Sequence, residues 1–147
     1  MTTLAEMQEL VGQRFPGGEY TVAHWESTLL SDVVEYPPDP GGAVHPIGLF
    51  HVPLAACGWT YQEIFDRCRA ESAEAVRAGE YRWEIIEPLL EGRTYDVSGE
   101  FVDVERKEGR RGGVFDKVTF RLELTDRAGG VVIARVTNSW LFLRSTP

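Results

Sequence analysis

"VTFRLELTDRAGGVVIARVTNSWLFLR", Val118 to Arg144, decides the fold class. Val118, Phe120, Leu122 and Leu124 fall on one side of a two-residue alternation, and Thr119, Arg121 and Glu123 fall on the other. That period belongs to a strand with one face buried and one face wet. "DRAGG" supplies turn residues, and "VVIARVTNSWLFLR" reads as a long closing strand. Two strands joined by so short a turn are antiparallel, because a parallel crossover needs a dozen residues or more.

The pattern extends upstream. "RTYDVSGEFVDVERK" (93–107) alternates, with Tyr95, Val97 and Phe101 in one phase and Val102 and Val104 in the other, so a bulge or bend is predicted beside Gly99. "EYRWEIIEPL" (80–89) is strand-like up to Pro88. The front half is helical in character. Thr3 with Glu6 forms a capping-box pattern ahead of Leu4, Met7, Leu10 and Val11, and Gly12 closes that helix. "YTVAHW" (20–25) reads as a first strand, and "ESTLLSDVVEY" places Leu29, Leu30, Val33 and Val34 at helical spacing until "PPDPGG" stops it. Thr60 with Glu63 repeats the capping box. It opens a predicted long helix that carries Tyr61, Ile64, Phe65 and Cys68 on one stripe and runs towards Gly79, its second half "RAESAEAVRAG" exposed. This order is α+β with an antiparallel sheet. It suits either a curled sheet wrapped around a long helix or a cone with N-terminal helices over a curved sheet, as in nuclear-transport-factor-like (NTF2-like) cyclases and isomerases.

At 147 residues the chain is expected to be one domain, 1–147. A net charge of −8 argues against nucleic acid and anionic membranes as partners. No apolar run approaches a membrane span, and "MTTLAEMQELVG" has no basic residue before its apolar positions, so no signal peptide is expected and a cytoplasmic location is. Cys57 and Cys68 lack a second pair and read as reduced buried thiols. No nucleophile elbow, phosphate-binding loop, dinucleotide fingerprint or His-x-x-x-His motif is present. No metal and no cofactor is expected.

From "YRWEIIEPLLEGRTYDVSGEFVDVERK" through the Lys107–Gly113 "K-x-G-x-x-G-G" turn, the D-x-x-G hairpin and the closing "SWLFLR" strand, the sequence resembles the MaoC-like hydratase/dehydratase group. It is most similar to the N-terminal, fatty-acid-synthase-type dehydratase domains. The entry "VGQRF" and the Pro-rich segment match more loosely. The resemblance implies the hot-dog fold, a curled antiparallel sheet around a helix. It implies (R)-specific hydration or dehydration of an acyl thioester, on coenzyme A or a carrier, by an Asp-x-x-x-x-His loop acting as general acid and base. It also implies oligomers, in which one hot dog holds that loop and another, lacking it, makes room for the acyl chain.

"DPGGAVHPIGLFHVP", Asp39 to Pro53, is where such a pair belongs. Asp39 and His45 are six apart, one more than the group's spacing, and "HPIGLFHVP" sits where non-catalytic domains have an A-P-P-x-F segment. The stretch is therefore expected to be a connector, with the chain as the substrate-shaping subunit of a hetero-oligomer beside a catalytic partner. A homodimeric hydratase using Asp39 and His45 is the alternative. A thioesterase activating water with Asp39 or Glu63 is another. His51, Trp59, Tyr61 and Phe65 are candidates to line an acyl site, although aromatic residues at that spacing also suit a plain core. Arg106, Lys107, Arg110 and Arg111 form the one basic cluster able to hold a coenzyme A phosphate, unless they are a solvated hairpin tip. A cone would instead put His45 or His51 in an apolar cavity.

Overall fold

The computed structural model describes residues 2–111 and 113–145. β1 (Gly18–Thr21), β2 (Val76–Ile85), β3 (Thr94–Gly109), β4 (Gly113–Asp126) and β5 (Val131–Leu143) form one antiparallel sheet in the order β1-β3-β4-β5-β2. Helices α1 (Leu4–Gln8), α2 (His24–Val33), α3 (Gly48–Ala55) and α4 (Tyr61–Arg67) accompany it. The alternation in β4 is realised in full: Val118, Phe120, Leu122 and Leu124 are buried. The opposite face is charged, with Arg135 on β5 bonded to Glu123 and Glu84 across three strands. One face is covered and one is wet, as the composition of each strand demands. Among the described residues no helix is long and apolar enough to cross a membrane.

The sheet bends where its register slips, between Ala78 and Glu80, Phe101 and Asp103, and Leu124 and Thr125. The bulge expected beside Gly99 therefore falls at Val102. Gly99 has a different task. A Cβ there would lie 2.3 Å from the Leu122 side chain and 2.8 Å from the Arg121 carbonyl, so only glycine lets Phe15 and Leu122 close over the strand.

Three further expectations are corrected. The first strand ends at Thr21 and His24 already begins α2, because the Glu26 carboxylate accepts the Ala23 amide and turns the chain into a helix. α2 follows its apolar spacing only in part: Leu30 packs on the core. Ser27 and Ser31 are buried, whereas Trp25, Leu29 and Val33 are exposed. Second, the Asp39–Pro53 stretch is not all connector: its second half is α3, with Leu49, Val52, Pro53 and Leu54 buried and the helix packed on β4.

Third, the helix opened by Thr60 does not reach Gly79. Its capping box forms, with the Thr60 amide donating to Glu63 at 2.7 Å. The helix nevertheless ends at Arg67, Arg69 adopts φ +50°, and the Ala70 amide returns to the Phe65 carbonyl. Residues predicted as its exposed half become a single 3-10 turn, Ala73–Ala75, and the start of β2. Gly79 sits at the bulge in β2, where a Cβ would meet the Ser139 carbonyl at 2.6 Å. The sheet thus covers two short helices in place of one long one. Tyr61 and Phe65 pack on Trp140 of β5, and Cys68 is buried behind them. Helix residues that face the sheet in this way belong to the curled-sheet arrangement, not to the cone.

Asp116 of β4 and Arg144, just past β5, are both fully buried and paired at 2.8 Å. Arg106 of β3 adds a two-point contact to the same carboxylate. Burial by itself would raise the Asp116 carboxyl, but hydrogen bonds from Arg106 and Arg144 outweigh it and hold the group below the usual carboxylate range. A carboxyl depressed in the folded state contributes stability above its unfolded value of about 4, and that contribution fades as pH falls through the folded value. Asp116→Ala should cost about 3–5 kcal/mol in urea unfolding at pH 7, because Arg144 is left buried without a counter-ion. Asp116→Asn should flatten the acid limb of the urea midpoint between pH 4 and 2.

Candidate functional site

The loop between α2 and α3 folds on itself through its own side chains. Asp39 accepts the Ala43 amide at 3.1 Å, and the Gly42 amide returns to the Asp39 carbonyl. His45 Nδ1 accepts the Ile47 amide at 3.1 Å, which leaves the ring proton on Nε2 and satisfies a donor at the start of α3. Asp39 and His45 line one small cavity of about 170 Å³, together with Ser31, Tyr36 and Val44. The Tyr36 ring lies 5.6 Å from the imidazole, centre to centre. Among the described residues no hydrogen bond joins Asp39 to His45; each bonds to backbone.

Ala43, Val44 and Pro46 also wall a second cavity of about 260 Å³, completed by Leu49, Ile85, Ile86, Leu89, Ile133 and Ala134. Among the described residues Glu87 is the single charged one in its lining. Such a space takes an aliphatic chain. It lies under the end of β2, between that edge strand, the start of β5 and α3.

No protein-family model and no curated protein matches the chain. Among solved structures, a MaoC-like dehydratase superposes with TM-score 0.73 at 15% identity over 95% of this chain, which spans only 44% of that protein's length. The ChsH1–ChsH2 complex from Mycobacterium tuberculosis superposes with TM-score 0.68 at 13% identity, covering 98% of this chain and 92% of that one. The HadBC (3R-hydroxyacyl-ACP dehydratase) complex from the same organism gives 0.64 at 14%, over 92% and 98%. The protein has the hot-dog fold of MaoC-like dehydratases.

In this hot dog the remaining sequence candidates separate. Tyr61 and Phe65 share a cavity of about 200 Å³ with Phe50, Tyr81 and Trp140, at the opposite end of β2 from the aliphatic cavity. Trp59 is elsewhere, packed 4.7 Å from the Phe15 ring with the Arg67 guanidinium above it. Its place in the turn before Thr60 points it away from Tyr61. His51 is exposed on α3, with Nε2 3.3 Å from the Tyr20 hydroxyl, and it lines neither cavity beside the Asp39 loop. Tyr20 donates its proton to Glu26 at 2.5 Å. Burial, then that carboxylate, pushes Tyr20 up to about 12. His24 is a surface residue beside Glu91.

The basic cluster is split as well. Arg106 is committed to Asp116 and to the Thr2 carbonyl, and Lys107 pairs with Glu105 at 3.1 Å. Arg110 and Arg111 are exposed at the β3–β4 turn. About 35 Å of strand separates Gly113, next to that turn, from Leu124 at the level of Ala134. The tip and the Asp39–His45 loop therefore lie at opposite ends of β4. Among the described residues no cluster of three or more His, Cys, Asp or Glu is arranged to hold a metal ion. Burial raises both thiols, Cys68 to about 12, and so disfavours the reactive thiolate in each.

Sequence reasoning missed Phe50, Tyr81 and Trp140. The alternation of Tyr81, Trp83 and Ile85 in β2 carried the signal for the second, and the phase of Trp140 with Val136 carried it for the third. His45→Ala removes one capping bond from α3. It should lower the unfolding free energy by about 1 kcal/mol, read by urea titration, with the circular-dichroism spectrum unchanged.

Proposed function

We propose that this chain is the non-catalytic, substrate-shaping subunit of a hetero-oligomeric enoyl-thioester hydratase or 3-hydroxyacyl-thioester dehydratase, working in the cytoplasm. The observation that carries this reading is the loop itself. Asp39 and His45 each give a side-chain acceptor to a backbone amide, beside an apolar cavity large enough for an acyl chain. An acyl pocket without a free acid–base pair is the half of a hydratase that receives the tail. The neighbours named ChsH1–ChsH2 and HadBC are complexes of two kinds of subunit, which supports the same division. β2 is an edge strand, bonded to β5 alone, and Ile85, Ile86 and Val131 are exposed at its end of the sheet. A second hot dog bearing an Asp-x-x-x-x-His loop would cover that edge.

One observation favours a second reading. Asp39 and His45 line the same small cavity, and His45 Nε2 is not the atom used in the cap. A rearranged loop in a homodimer would then be catalytic. Glu63 offers less for a thioesterase, since its carboxylate is engaged by the Thr60 amide.

Hydration of crotonyl-CoA and of a ten-carbon enoyl-CoA by the purified chain separates the two. The expected result is no turnover alone and turnover when a catalytic MaoC-like subunit is added. In that mixture His45→Ala should leave kcat unchanged, and Ala134→Phe should favour crotonyl-CoA over the longer substrate at least tenfold. Turnover by the chain alone that disappears in His45→Ala would transfer the catalytic role to this loop.

A further inference from the structure

We propose that the cavity between α3, α4 and the start of β2 is a binding site for a planar aromatic ring carrying a hydrogen-bond acceptor, an aryl ketone being the simplest member of the class. Its walls are Phe50, Tyr61, Phe65, Tyr81 and Trp140 around about 200 Å³. Their planes differ: Phe65 meets Trp140 at 69° and Phe50 meets Tyr81 at 50°. The crevice therefore presents ring edges and ring faces together, the surroundings in which a flat ring packs best. Space exists because Ala78, on the inner face opposite Trp140, is a methyl group where a larger side chain would fill the opening. Phe50 and Tyr61, 45% and 52% exposed, stand at the mouth, and Trp140 is buried at the floor.

Polarity sets the acceptor. The Trp140 indole N–H donates to the Tyr81 hydroxyl at 3.3 Å. That hydroxyl's own hydrogen has no acceptor among the described residues, so it is left to meet an oxygen on the ligand. A quaternary ammonium is the other class that aromatic walls take. It suits this crevice less, because among the described residues no carboxylate lines it and Tyr61 already covers a face of Trp140, stacked at 14°. The site stands apart from the aliphatic cavity and does not depend on the acyl-thioester reading.

The test is titration of the purified full-length chain with 2-acetylnaphthalene, read by tryptophan fluorescence and by calorimetry. Saturable binding is expected. Ala78→Leu, at an exposed position on the edge strand, should weaken it at least tenfold without changing Tm. Tyr81→Phe should weaken the ketone about fivefold and leave naphthalene itself unaffected. A linear ketone, 2-decanone, should bind equally well to Ala78→Leu and to the unaltered chain. Absence of saturation, unchanged 2-acetylnaphthalene affinity in Ala78→Leu, or equal losses for ketone and hydrocarbon in Tyr81→Phe would overturn the assignment. None of these outcomes alters the acyl-cavity reading, which 2-decanone and Ala134→Phe test separately.

Discussion

A carboxylate and a guanidinium taken out of water lose several kcal/mol of hydration each, and the loss is recovered only where every donor and acceptor finds a partner. Around Arg144 each nitrogen does. Nε bonds to Asp116, Nη1 to the Arg69 carbonyl at 2.5 Å, and Nη2 to the Cys68 carbonyl at 3.0 Å with the Met7 sulfur beside it. Asp116 completes its shell with Arg106, which in turn holds the Thr2 carbonyl. One buried charge pair thereby fixes the end of β5 against α1, β3 and the carbonyls of Cys68 and Arg69, just past α4. The Arg69 carbonyl, in the turn that follows the helix, is satisfied here by a side chain 75 residues away.

That clamp has a consequence for the sheet. With α4 stopped at Arg67, the chain can return along β5, and residues from Val76 onward become its edge strand. Had α4 continued to Gly79, Val76 and Ala78 would be helical, and β5 would lose its partners opposite Phe142 and Trp140. The aromatic crevice exists because Ala78 stands in a strand facing Trp140.

The strands were legible because one face is apolar and the other charged. β4 and β5 show this most plainly, and Val118 to Leu124 needed no context to be placed. The helices were legible only where a local device announces them: Thr3 with Glu6 and Thr60 with Glu63 both form reciprocal caps. Where tertiary contacts decide, the sequence was silent. α4 is followed by a left-handed Arg69, whose carbonyl and that of Cys68 are held by Arg144. α3 is apolar almost throughout and carries Pro53, so it shows no period. α2 buries Ser27 and Ser31 beside Leu30 and leaves Leu29 and Val33 exposed, which its apolar spacing does not reveal. Asp39 and His45 were found by residue type and spacing, but their hydrogen-bond partners, and hence their readiness for chemistry, were not.

The extra residue in the Asp39–His45 loop now has a physical meaning. With "PGGAV" between them, Gly42 takes φ +82° and the chain doubles back, so Asp39 reaches the Ala43 amide and stays on its own loop. His45 then meets the Ile47 amide, just before α3. To act as a base through Nδ1 it would have to abandon the Ile47 amide, a partly buried donor. Nε2 carries the proton and can only donate while that bond holds. The imidazole is thus held in the tautomer that cannot take a proton from water at its outward nitrogen. A loop built this way stabilises the start of α3 and a wall of the aliphatic cavity, which is what the proposed substrate-shaping role asks of it.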